Sequence, residues 1–498
     1  MTATAQENAI AVADAFLAQS EIPLYINGAW KPARDGKTFE VRRPSTGERL
    51  ATISSAGAAD VDEAVQAARS AFPAWSDLDT RDRAVLLHRL ADAMERDQDV
   101  LASLESRNIG KSLPEALDFD ILFAAQGYRY FADLATHTTL SRPLPLANME
   151  ASQVHRPRGV CGFVIPWNAP SILTVWGIAP ALAAGNTVVL KPAELAPLSV
   201  IYLARLAEEV GFPSGVINVV TGLGSEAGDA LANHPGLNYI SFTGSPQTGK
   251  LVAEAAARNL VPSKMELGGK GAAVIFPDID VKDTAEKLGM AIVRNAGQTC
   301  CTATRWFIHD DVYDDLVSAS VDFLERIRLG PDTDHATQLG AVISEGQRSR
   351  IQSYLDQGLE QGATPLLEGG ATQLPGLENG YYVSPVLMTG RPDNVCAREE
   401  IFGPVAYVMP FSDEADVIEQ VNSSHYGLAN SVWSEDLNRA YRVAERMVSG
   451  NSWINAHNVF AYGLPYGGVN LSGWGGGVNS QQTYLDYLRP MSVVRPLT

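Results

Sequence analysis

An α/β protein built on parallel sheets is what this sequence predicts, and three observations carry the expectation. From residue 159 onward, short apolar strand-like runs alternate with helix-like runs, the rhythm of βαβ units. A second series of the same kind begins near residue 272. At 498 residues the chain is too long for one hydrophobic core, so two or three domains are expected.

The elements follow in order. Residues 24–30 and 38–42 read as short strands, with Asn27-Gly28 as a hairpin signal and a turn at 44–48. Between 60 and 107 apolar residues recur at spacings of three and four, as in Val61, Ala64, Val65 and Ala68, then Leu86, Leu90 and Met94, which predicts amphipathic helices. The first α/β series places strands at 159–166, 187–190, 216–220 and 239–243, separated by helices at 172–184, 199–210 and 225–232. Pro166, Lys191-Pro192, Gly222, Gly224 and Gly244 mark the carboxyl ends of those strands, where ligands of such sheets gather. The second series has strands at 272–276, 303–309, 364–367, 383–388, 405–410, 431–433 and 453–455. Residues 491–494 read as a last strand that pairs elsewhere, in this subunit or another.

A formal charge of -19 argues against phosphate backbones and anionic lipid as partners, so neither nucleic acid nor membrane is expected. The first twelve residues lack the basic start of a secretory signal, and the best apolar run, 172–182, is short and holds Gly177 and Pro180; a cytoplasmic protein is expected. Four cysteines are too few for a disulfide framework, and without C-x-x-C or H-E-x-x-H no metal site is expected.

Several residues have the chemistry of a site. The turn 221–228 places Gly222, Gly224 and Gly228 where a phosphate-binding loop would, although its G-x-G-x-x-x-G spacing equally suits a plain strand-to-helix turn. Lys191 and Glu194, just past an apolar strand, have the groups to bond ribose hydroxyls, or are a surface pair. Cys300, in GQTCC after a helix-like stretch, is a nucleophile with a lowered thiol pKa if helical N–H groups face it, and otherwise a small buried thiol. Glu266, ahead of two glycines, suits a general base or a structural carboxylate. Asn168 suits an oxyanion donor, an Asx turn before Pro170, or both.

Together PWNAP, LKPAE, FTGS, MELGGK, GQTC, EEIFGP and PYGG stand in the order and spacing of the aldehyde dehydrogenase superfamily, which the chain resembles over nearly its whole length. The resemblance implies a Rossmann-type nucleotide-binding domain (1–135 and 152–266), an α/β catalytic domain (267–478) and a small oligomerisation β-flap (136–151 and 479–498), assembled as a homodimer or homotetramer. It implies an enzyme that oxidises an aldehyde to its acid with NAD through a thioester on Cys300, with Glu266 as general base and Asn168 plus the Cys300 N–H as oxyanion hole. Lys191 and Glu194 would bind the adenine ribose, with Glu194 favouring NAD over NADP. Ser245 with the turn from Gly222 to Gly228, Gly224 included, would approach the pyrophosphate, Glu400 with Phe402 would position the nicotinamide ribose, and Phe242, Thr243 and Gly244 would also bind the cofactor. Ile165, Pro166, Trp167, Leu267 and Gly268 would line the rest of the cofactor path.

The same resemblance lines the substrate tunnel with Ala169, Leu173, Trp176, Gly177, Thr299, Cys301, Phe460 and Tyr466, none of them charged, which implies an aromatic or medium-chain apolar aldehyde. The chain departs from the family where many members have P-F-G-G-x-K and then S-G-x-G-R-E. Here Pro465-Tyr-Gly-Gly-Val-Asn470 and Ser472-Gly-Trp-Gly-Gly-Gly477 lack the Lys, Arg and Glu, which leaves Glu266 to carry the proton chemistry. A CoA-acylating enzyme and a non-catalytic protein on the same fold are the alternatives; retention of Glu266 speaks against the first, and the joint presence of Cys300, Glu266, Asn168 and Lys191 against the second.

Overall fold

The computed structural model describes residues 3–497. Five parallel strands, Val160–Ile165, Thr187–Pro192, Ile217–Val219, Tyr239–Thr243 and Ser263–Glu266, form the centre of an eight-stranded sheet. The hairpin Leu24–Ile26 and Ala29–Lys31 extends one edge antiparallel to Ile217–Val219, and Gly473–Trp474 extends the other. Its turn is the one the sequence announces: Asn27 and Gly28 both take positive φ, 55° and 72°.

From Val160–Ile165 the chain steps twice to one side, then returns to pair Tyr239–Thr243 on the other. Strand order therefore reverses between these two strands, and the crevice at their carboxyl ends is where a doubly wound sheet receives a ligand. Pro166-Trp167-Asn168 and Gly244-Ser245 stand at those ends. The helix Pro170–Ala183 leads away from the first, with Pro170 at its start, where a missing N–H costs nothing. Every residue of that helix is buried, consistent with its apolar character on all sides.

The amphipathic helices are Ala58–Asp77, Thr80–Arg96 and Gln98–Ile109. The last ends on Gly110 at φ 82°, where a Cβ would lie 2.6 Å from the Ala341 carbonyl; glycine both terminates the helix and lets it touch the second lobe. That lobe is a seven-stranded sheet in the order Thr364–Leu367, Val386–Thr389, Val405–Phe411, Ala303–His309, Gly271–Ile275, Ala429–Trp433 and Asn451–Ile454. It is parallel except for its first strand, and it buries Trp306, Trp433 and Tyr407 completely. Among the described residues no helix is long and apolar enough to cross a membrane.

A third sheet, an exposed antiparallel ribbon, joins Ser141–Leu144, Met149–Pro157 and Leu488–Pro496. The tail strand thus pairs within its own chain, with Leu488 opposite Pro157 and Pro496 opposite Met149. The ribbon runs past residue 151 to Pro157, and residues 481–486 form a helix next to the buried Tyr484 and Tyr487 rather than ribbon. Among the elements with no counterpart in the sequence-based expectation are the helices Ala3–Leu17, Leu122–His137 and Pro246–Arg258, a π-helical turn Ala116–Ile121, and the strands Arg49–Ser54, Ser263–Glu266 and Gly370–Leu374.

Candidate active site

Cys300 stands on a loop between the helix Val281–Val293 and the strand Ala303–His309. The loop begins with three left-handed residues, Asn295, Ala296 and Gly297 at φ 49°, 53° and 70°. Such a run in non-glycine residues persists only where its surroundings impose it, and here they do. The Asn295 N–H donates to Glu115 Oε2 (3.1 Å), and its side-chain amide donates to the carbonyls of Asn168 (2.7 Å) and Gln298 (3.2 Å). A Cβ on Gly297 would lie 2.1 Å from the Gly403 carbonyl carbon, so the EEIFGP loop closes directly on this turn. The expectation of helical N–H groups around the thiol is corrected: Cys300 follows a helix end and precedes a strand. The adjacent Cys301 thiol and burial hold the Cys300 thiol well above its ordinary range.

The two cysteines differ in their surroundings. Cys301 is fully buried and its thiol donates to Asn458 Oδ1 at 3.1 Å, while its carbonyl lies 2.7 Å from His457 Nε2. Cys300 is half-buried, and its Sγ lies 3.4 Å from the Tyr466 hydroxyl. The Asn168 side chain donates to the Gln298 carbonyl at 3.1 Å; its amide carries a second N–H.

Glu266 ends its strand opposite Thr243, and the Gly244 N–H donates to its carbonyl at 3.0 Å. Its carboxylate is 7 % exposed and Oε2 has no partner among the described residues. Burial, and secondarily Cys300, raise it to about 8 against the opposing pull of Lys264. Lys264 shares the Glu266 face of the strand, two residues back; it is fully buried, 2.9 Å from Asp486 Oδ2, and donates to the Gly477 carbonyl. Where the related pattern has a carboxylate, this chain thus has a glycine carbonyl holding a lysine.

Two cavities meet at the thiol. One of about 500 Å³ is lined by Pro166, Trp167, Thr243, Gly244, Ser245, Leu267, Gly268, Glu400 and Phe402, all expected. Pro246, Gln247, Gln347, Arg350, Tyr354 and Tyr426 also line it and carried no motif. Glu400 Oε1 accepts the Gly269 N–H at 2.8 Å, and a Cβ on Gly268 would fall 2.1 Å from Glu400 Oε2, so the paired glycines are what let that carboxylate approach. Burial lifts Glu400 to about 7. Phe402 takes φ 63° and packs edge-on to Trp167, centroids 5.3 Å apart.

Lys191 and Glu194 form a separate group 2.9 Å apart at the neighbouring strand end. Gly224 and Gly228 sit beside them: a Cβ on Gly224 would be 4.0 Å from Glu194 Oε1 and one on the buried Gly228 4.0 Å from Lys191 Cδ, ordinary contact distances that place both glycines against the pair. Two expected cofactor residues lie elsewhere. Ile165 and Phe242 are packed in the core, each 4 % exposed, and the Phe242 ring supports Gly244 from beneath.

The second cavity, about 50 Å³, is lined by Ala169, Leu173, Trp176, Thr299, Cys301, Phe460 and Tyr466 as expected. Gly177 does not line it: a Cβ there would strike the Phe163 ring at 2.7 Å, so this glycine serves helix-to-sheet packing. Nor is the lining free of charge. Lys111, Glu115, Asp120 and Arg294 contribute, with Phe119 and Asn458. Lys111 and Asp120 are a buried ion pair, and Arg294 stacks 3.9 Å over Phe119. Lys111, Glu115, Phe119 and Asp120 come from the π-helical turn and its approach, where buried charges look like surface ones in sequence, and Arg294 from the end of the helix Val281–Val293. Asn168, Leu173 and Cys300 line both cavities.

The aldehyde dehydrogenase family matches residues 30–493. The putative aldehyde dehydrogenase DhaS of Bacillus subtilis (strain 168) is 40 % identical over 456 residues, covering 91 % of each chain. Retinaldehyde dehydrogenase 3 of Mus musculus is 39 % identical over 458 residues, 91 % of this chain and 88 % of its own. The NAD+ complex of an aldehyde dehydrogenase from Bacillus cereus superposes with a TM-score of 0.95 at 38 % identity, covering 98 % of this chain and 99 % of that one. The α/β architecture is accordingly that of these enzymes, and the chain belongs to the aldehyde dehydrogenase family.

Proposed function

We propose that the protein oxidises an apolar or aromatic aldehyde to its carboxylic acid with NAD, through a thioester on Cys300. One observation carries the reading most: Cys300 and Asn168 stand where a cavity of about 500 Å³ lined by Trp167, Glu400 and Phe402 meets a small one of about 50 Å³ with Trp176, Phe460 and Tyr466 in its wall. The donor set supports a dinucleotide. Lys191 and Glu194 suit ribose hydroxyls, the adjoining turn at Gly224 and Gly228 carries no side chains to hold phosphates off its backbone, and Glu400 suits a second ribose. When bound, nicotinamide supplies a hydride acceptor.

The chain's own residues supply the rest. Cys300 Sγ, as thiolate, attacks the aldehyde carbon, and the developing oxyanion takes the second Asn168 N–H and the Cys300 backbone N–H. Loss of hydride leaves the acyl group on sulfur. Glu266 then removes a proton from the water that attacks the thioester, the C–S bond breaks, and the acid departs from a regenerated thiolate. A wider cavity that shares Glu115, Phe119, Arg294 and Asn458 with the small one speaks against an anionic substrate: the carboxylates of Glu115, Asp118, Asp283 and Glu286 outnumber the cations of Lys287 and Arg294.

NADH formation followed at 340 nm without CoA tests the reading. Benzaldehyde-like and medium-chain aldehydes are expected to exceed carboxylate-bearing ones in kcat/KM by about tenfold or more. Dependence on CoA, or a preference for succinate semialdehyde, contradicts it. Glu194→Gln removes the charge that repels a 2′-phosphate and is expected to raise kcat/KM with NADP relative to NAD by about tenfold; an unchanged ratio would place the discrimination elsewhere.

Assembly into a homodimer or homotetramer is part of the same proposal. The exposed ribbon supports it, with Leu144, Leu146, Met149, Met491, Val493 and Val494 open along it.

A further inference from the structure

The tyrosine of Pro465-Tyr-Gly-Gly468 stands where many members of the family have phenylalanine, so its hydroxyl is an addition to the pocket. The structure directs that hydroxyl at the sulfur: Tyr466 Oη lies 3.4 Å from Cys300 Sγ. Its position is fixed from several sides. The ring is 5 % exposed and packs on Trp176 and Phe460, with centroids 5.3 and 5.2 Å apart. The Tyr466 N–H donates to the Val478 carbonyl at 3.0 Å. The neighbouring Cys301 thiol is itself occupied as a donor to Asn458.

A buried phenol left without an acceptor loses its hydration uncompensated; Cys300 Sγ is within reach of this one, and it accepts more strongly as a thiolate than as a thiol. Desolvation lifts the Tyr466 phenol far above its ordinary range, so it remains a neutral donor throughout the working pH.

We propose that Tyr466 is a catalytic residue that donates a hydrogen bond to the Cys300 thiolate, favouring the ionised nucleophile before attack and receiving it again as leaving group when the thioester is hydrolysed. No proton passes to or from the phenol. The thiol proton goes to water, the O–H stays on tyrosine, and the hydrogen bond weakens while sulfur carries the acyl group and reforms when the C–S bond breaks. The proposal rests on Cys300 as nucleophile, so its test reads the thiol directly, without aldehyde or dinucleotide.

The experiment measures carbamidomethylation of Cys300 by iodoacetamide across pH, by peptide mass spectrometry, in the wild type, Tyr466→Phe and Tyr466→Leu. A hydrogen bond to a charged acceptor corresponds to a shift of about one pH unit. Tyr466→Phe keeps the ring and is expected to move the alkylation inflection up by about that much, slowing alkylation about tenfold below it. Tyr466→Leu is expected to move it equally, because only the hydroxyl matters. An inflection unchanged or lowered in Tyr466→Phe overturns the proposal, as does a shift seen only with leucine, which would assign the effect to ring packing. Failure of Cys300 as nucleophile would appear separately, as dehydrogenase activity surviving in Cys300→Ala.

Discussion

Cys300→Ala is expected to abolish NADH formation with every aldehyde, a loss of roughly 10⁴-fold or more, because no neighbour can take over the attack. The nearest thiol is one residue away but differently placed. Cys301 is fully buried and donates to Asn458, so turning its sulfur toward the cofactor cavity would break that bond, and its carbonyl against His457 keeps the backbone from following. Cys301→Ala is therefore expected to retain most of the wild-type rate. Activity in the first variant comparable to that in the second, measured at saturating NAD, would contradict the assignment.

Glu266→Gln is expected to separate the two halves of the reaction. The glutamine keeps the shape of the side chain at the end of its strand but cannot take a proton from water. Acylation should still release about one NADH per active site, after which turnover falls by about 10²- to 10⁴-fold, the usual contribution of a general base. The pH dependence follows from the same environment. Burial raises Glu266 to about 8, so below that pH most of it is protonated and inactive as a base. The wild-type deacylation rate should climb about tenfold per pH unit toward 8 and level off above it, and the residual rate of the glutamine variant should lack that limb. A limb that falls with rising pH, or one that survives in Glu266→Gln, would remove Glu266 from the step.

Much of this site was legible because its parts lie at strand ends marked by turn residues. Pro166, Gly244 and the Lys191-Pro192 step each punctuate an apolar run, and the hairpin at Asn27-Gly28 depends on residues that tolerate positive φ. The strand Ser263–Glu266 was not legible, because Lys264 and Glu266 place two charges on one buried face and so reverse the usual pattern of a strand in a core. The approach to the substrate cavity failed for a related reason. Lys111, Glu115 and Asp120 stand in no motif of the sequence, yet Lys111 and Asp120 are buried as a pair, Glu115 holds the catalytic loop through Arg294 and Asn295, and a π-turn changes the helical spacing between Glu115 and Leu122. Gly177 illustrates the opposite error: its smallness serves contact with Phe163 inside the fold, not space for a ligand.

The carbonyl network behind the thiol was legible only as separate motifs. PWNAP and GQTC meet in the structure through Asn295, whose side-chain amide joins the Asn168 and Gln298 carbonyls, and EEIFGP closes on the same left-handed turn at Gly297. Its chemistry gave no signal in the sequence, since an asparagine after a helix reads as a plain cap.

The measurement that bears most directly on the central claim is peptide mass spectrometry of Glu266→Gln, quenched in acid during its burst with NAD and an aromatic aldehyde. The account predicts that the Cys300 peptide gains the mass of the aldehyde less two hydrogen atoms, in step with the NADH released. NADH released with no acyl group on Cys300, or with the acyl group on Cys301, would contradict it.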